Sequence, residues 1–135
     1  MAEVDYMHLC DYAFQAEGGK PCIIGIFDTI GAASFPCTHP HMAIAIQLRG
    51  QSHEAIPVHV ELGKPNGDVI ATLDGQVTAG PDGGAFLNFN LLTLQFPEAG
   101  RYSIKVLSSG RVLASQSFRL HGGEAPGPAP AGTRH

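Results

Sequence analysis

The chain has 135 residues, of which 44% are apolar and 15% charged, and its 12 acidic and 8 basic side chains give a net charge of −4. This length suits one domain with a continuous core, and the composition excludes a disordered body. No run of Lys and Arg could track a phosphate backbone, so nucleic acid is not an expected partner.

Taken from the N-terminus, MAEVDYMHLCDY lacks both the basic and the apolar region of a signal peptide. No later apolar run approaches the roughly 20 residues of a membrane span. The expectation is therefore a cytoplasmic protein that does not engage a membrane. Period-two apolar alternation, broken by Gly, Pro, Asn and Asp, then predicts strands at 6–14, 21–29, 42–50, 55–63, 69–74, 85–96, 101–108 and 111–120. The clearest are Met42, Ile44, Ile46, Leu48 and Ile56, Val58, Val60, Leu62, each set sharing one side of its strand. Ile104 and Val106 share that phase and join the predicted core. Ala43, Ala45 and Ile70 fall on the opposite sides and are expected to face outward.

Glu17-Gly18-Gly19-Lys20, Asn66-Gly67 and Ser109-Gly110 are the expected hairpin turns. The segment from Asp74 to Gly84 reads as a mobile glycine-rich loop. In the stretch 86–96 the apolar phase changes, from Leu87, Phe89, Leu91 to Leu92, Leu94, Phe96, which calls for a bulge or bend near Leu91. No capped helical pattern is present. The prediction is an all-β fold, an antiparallel β-sandwich of about eight strands spanning residues 1–120, with a disordered Gly/Pro/Ala-rich tail at 121–135.

Candidate chemistry is sparse. Cys37, His39 and His41 alternate, so in an extended chain they point one way and could ligate zinc, with His8, Cys10 or Cys22 completing the set. A proline-rich turn between Pro36 and Pro40 is the simpler expectation, and the three cysteines are read as free thiols. Asp11 and Asp28 would fall nearly opposite in a hairpin centred on residues 17–20. Paired carboxylates serve acid/base catalysis, although acids at strand ends more often accept turn N–H groups. Nucleophile-elbow, phosphate-loop and zinc-protease motifs are absent, and there is no tryptophan.

The string Leu9-Cys10-Asp11-Tyr12-Ala13, then Gly18-Gly19-Lys20, then Ile23-Ile24-Gly25-Ile26-Phe27-Asp28 resembles DUF6941, a family of small bacterial proteins of unknown function. Pro36, His39-Pro40, Phe96-Pro97-Glu98-Ala99-Gly100-Arg101-Tyr102 and Ser117-Phe118-Arg119-Leu120 extend the resemblance over about residues 6–120. It implies an Ig-like or C2-like sandwich with no catalytic residues to carry over. Cys22 and Cys37 depart from the family pattern. The expected function is thus a non-catalytic binding or assembly module without a cofactor, acting on a protein partner or on itself. The alternative is a metal- or thiol-dependent site on Cys37, His39 and His41.

Overall fold

The computed structural model describes residues 2–122. Among these, nine strands form and no helix: β1 (Glu3–Ala16), β2 (Lys20–Ile26), β3 (Thr29–Gly31), β4 (Cys37–Arg49), β5 (Ala55–Gly63), β6 (Val69–Thr78), β7 (Gly84–Phe96), β8 (Gly100–Ser108) and β9 (Arg111–His121). No helix is long and apolar enough to cross a membrane. One sheet has the order β2-β1-β4-β7 and the other β3-β9-β8-β5-β6. Three hairpins, β1–β2, β5–β6 and β8–β9, stay within a sheet, whereas the other links cross between sheets in the Greek-key manner of an Ig-like sandwich.

The core follows from the alternation. Ile44, Ile46, Val58, Val60, Leu62, Ile104 and Val106 are all buried in one cluster with Met7, Leu9 and Leu48. At one end Phe96, Tyr102 and Phe118 pack as an aromatic trio with ring centroids 5.2–5.9 Å apart. Tyr102 is fully buried, and its hydroxyl donates to the carbonyl of Glu98 at 2.6 Å. That bond is a tyrosine corner: the Tyr near the start of a strand ties down the chain that has just crossed between sheets. It explains the Phe-Pro-Glu-Ala-Gly-Arg-Tyr string, because Gly100 sits at φ 139° where an added Cβ would lie 2.6 Å from Pro65 Cγ.

Several expectations change. The expected 21–29 strand is two elements, because the chain leaves the first sheet after Ile26 and Thr29–Gly31 pairs in parallel with β9. A three-residue strand carries no periodicity to detect. The expected proline-rich turn at 37–41 is the start of β4, paired to β7 throughout. Both strands change phase at Pro40 and Thr93, and Thr93 takes φ 56°. The bend therefore lies two residues beyond Leu91 and leaves the register unshifted on either side. The expected loop after Asp74 is strand as far as Thr78, where Gly75 gives room to the Phe89 ring. Asn66-Gly67 does not form a two-residue turn. Pro65 precedes it, and Gly67 N–H closes on Lys64 C=O at 2.9 Å in a longer loop with Gly67 at φ 99°. Ser109-Gly110 does form the tight turn, both residues having positive φ between paired Ser108 and Arg111. Strand β9 runs one residue past the expected domain end at 120, and residues 123–135 of the tail expected at 121–135 lie outside the described residues.

The largest correction concerns the outer side of β4. Ala43 and Ala45 are fully buried, because the β1–β2 hairpin brings Ala13 and Ile23 over them beside Phe86 and Cys10. Gln15 Nε2 donates to the Phe86 carbonyl at 3.1 Å and fastens the hairpin there. Ile70 packs partly buried against the main core rather than outward.

Candidate functional site

The hairpin that covers β4 is apolar on both of its faces. Its three-residue loop closes with Gly19 N–H donating to Ala16 C=O at 2.9 Å, both loop glycines having positive φ. This pairs Tyr12 with Ile24 and Phe14 with Cys22. Alternation then sends Ala13 and Ile23 inward and Tyr12, Phe14 and Ile24 outward. Tyr12 is 55% exposed, Phe14 46%, Ile24 53% and Ile26 59%. Tyr12 also stacks on His41 at 4.9 Å, and His41 pairs across the ladder with Leu92, which is 69% exposed. These exposed apolar and aromatic side chains form a surface of the kind that marks an interaction site.

β2 is also the free edge of its sheet, yet it is a poor template for strand addition. Pro21 has no N–H to offer, and Gly25 at φ 74° breaks the extended line. The side-chain face, not the backbone edge, is the available contact.

The same register accounts for the family-like residues. Asp11 falls opposite Gly25 in the observed register, and Asp28 lies past the end of β2, where the chain has crossed to β9. A Cβ at Gly25 would lie 2.3 Å from Asp11 Oδ2, so the glycine makes room for the carboxylate. Asp28 instead accepts the Thr29 hydroxyl at 3.1 Å through Oδ1 and the Arg119 amide at 2.9 Å through its carbonyl. The two acids do not form a facing pair. Cys10 lies fully buried, its thiol donating to Ala43 C=O at 3.6 Å. Burial first, and then the charge of Asp11, pushes that thiol up to about 11, so it carries no thiolate at neutral pH.

Cys37, His39 and His41 do not share one direction. The bend at Pro40 leaves Cys37 packed against the main core and His39 6.0 Å from the Phe27 ring, whereas His41 lies under Tyr12 on the outer side. Burial raises the Cys37 thiol as well. Among the described residues, no three His, Cys, Asp or Glu side chains have a placement that would hold a metal ion. His8 stands beside Tyr6, with ring centroids 5.2 Å apart, and Cys22 on β2 reaches only toward the Lys20 carbonyl at 3.9 Å. Nδ1 of His41 is buried without a hydrogen-bond partner, which costs about 1–3 kcal/mol. Sequence reasoning missed Phe14, Ile24, Ile26 and Leu92 as surface residues. The available signal was a strand pair apolar in both phases, which needs two covers and has one.

Solved structures share the fold. The immunoglobulin-like protein of Pseudomonas aeruginosa superposes with a TM-score of 0.51 at 15% identity, over 90% of this chain and 97% of that one. The alkylpurine DNA glycosylase AlkC of Pseudomonas fluorescens, bound to DNA containing an abasic site analog, gives 0.54 at 12% identity over 88% of this chain and 30% of that one. A β-glucosidase from Listeria innocua in complex with glucose gives 0.52 at 8% identity, over 91% and 16%. The chain thus spans less than a third of either enzyme, and the similarity to all three is one of fold. No curated protein matches, and neither the family nor these structures assigns an enzymatic activity. The family model for DUF6941 matches residues 5–121, and the chain belongs to that family of unknown function.

Proposed function

We propose that the domain is a non-catalytic assembly module that pairs with a second copy of itself through the outward face of the β1–β2 hairpin. The observation that carries this reading is the half-exposed, uncharged cluster of Tyr12, Phe14, Ile24 and Ile26. An uncharged face matches an uncharged face, since a charged partner would lose hydration there with nothing to pair it. A two-fold arrangement sets each patch on its own copy without any further surface. Four half-exposed side chains present roughly 400 Å² per copy, so a dimer buries roughly 800 Å², below the roughly 1,000 Å² of a stable specific interface. The association is therefore weak and reversible.

Sedimentation equilibrium of the full chain tests it. The expected result is a concentration-dependent rise above 14.2 kDa in the micromolar to millimolar range. Ile24→Lys should abolish that rise while leaving the monomer folded. A single monomeric species at every concentration overturns the proposal.

A further inference from the structure

The outer face of the second sheet carries an unrelated feature. Arg101 on β8 and Arg119 on β9 are direct partners across an antiparallel ladder, and their neighbours Tyr102 and Phe118 are buried, so both guanidinium groups leave on the solvent side. Like charges directly opposed on one sheet face repel. Neither arginine is neutralised: the ion pairs among the described residues join Arg49 to Asp5 and His59 to Glu61 and Asp74. Among the described residues, the one side-chain hydrogen bond of this pair runs from Arg101 Nη1 to Ser117 Oγ at 3.3 Å. On the flank, β3 sets Thr29 beside Arg119 in a parallel ladder. Asp28, Thr29, Arg101, Ser117, Phe118 and Arg119 line one open cavity of about 180 Å³.

We propose that this cavity binds a small oxyanion, a phosphoryl or carboxylate group, clamped between Arg101 and Arg119. Two planar guanidinium groups offer forked donors that match such an anion, and its charge removes the repulsion that the ladder imposes. Asp28 sets the sign of the balance. Its carboxylate lines the same cavity and opposes the anion, but it is one negative charge against two positive ones, and its Oδ1 already accepts from Thr29. The site lies on the other sheet from the hairpin patch and stands independently of self-association.

The test is an NMR titration of the full chain with inorganic phosphate and, separately, with acetate, each at ionic strength held constant with chloride. Saturable shifts of the Thr29, Arg101 and Arg119 amides are expected. Arg101→Gln and Arg119→Gln should each weaken binding about tenfold or more, whereas Asp28→Asn should tighten it and Arg49→Gln should change nothing. Arg119→Lys, which keeps the charge and loses the fork, should fall between. Saturation by phosphate alone identifies a phosphoryl site, and saturation by both ions identifies a general oxyanion site. Shifts that grow without saturating for both ions, or that follow the arginine substitutions no more than Arg49→Gln, overturn the proposal.

Discussion

The two sides of β4 reach the same burial by different routes. On the inner side Met42, Ile44, Ile46 and Leu48 are large and meet the opposite sheet. On the outer side Ala43 and Ala45 are small, and the β1–β2 hairpin folds close over them. Small residues permit that close approach, but the hairpin is one layer thick, so its own far side is left apolar and open. The inner side therefore ends in a closed core, and the outer side ends in a surface that asks for a partner.

Substitutions on the two sides should separate these roles. The largest effect is expected from Ala45→Arg, which must expel the hairpin or bury an unpaired charge. A loss of about 4 kcal/mol or more in urea melts is expected, combining overpacking with an uncompensated charge. A variant as stable as the wild type would mean that the hairpin lifts off β4 at little cost. Next comes Ile46→Ala on the inner side, where lost burial and a residual cavity should cost about 3 kcal/mol. The ranking of these two in one series of chemical melts measures how firmly the hairpin cover is held.

Tyr102→Phe keeps the aromatic packing and deletes the hydroxyl's bonds to the Glu98 carbonyl and N–H. A loss of about 1–2 kcal/mol by thermal or urea unfolding is expected, since the part-buried Glu98 backbone loses its hydroxyl partner. The smallest effect concerns His59, whose Nδ1 lies 2.7 Å from Asp74 Oδ1 and whose Nε2 lies 3.3 Å from Glu61 Oε2. The Asp74 hydrogen bond, more than the opposing desolvation, raises its pKa above the ordinary 6.5. The resulting stabilisation is complete below that ordinary value and fades as pH rises through the raised folded-state value. Being open to solvent and screened by it, the group should move the unfolding midpoint very little, while its imidazole resonances should titrate higher than a free histidine. Asp74→Asn should return that titration toward the ordinary range, and no change would remove Asp74 as the cause.

Family membership and the antiparallel β-sandwich were both legible before the structure, as were the central aliphatic residues of the closed core. The candidate surface was legible only in part. Tyr12, Ile24 and Ile26 stood in the family-like strings and Phe14 beside them, but all four looked like ordinary strand residues with nothing to mark them as exposed. The candidate zinc ligands failed for a related reason. Alternation at Cys37, His39 and His41 implies one direction only in an unbent strand, and Thr93, on the partner strand, marks where that condition breaks.

What the sequence by itself determined were the properties set by neighbouring residues: the period-two pattern, the glycine turns at 17–20 and 109–110, and the sets that share one side of a strand. These follow from covalent geometry and are readable over a few residues. Only the tertiary structure decided which sides are covered. Ala45 is buried because Ala13 and Ile23 arrive from a distant hairpin, and Arg101 meets Arg119 because β8 and β9 pair in one register. The β1–β2 register placed Asp11 against Gly25, and the crossing of the chain to β9 after Ile26 carried Asp28 away from it. Register and coverage depend on contacts between remote segments, and a local pattern holds no record of them.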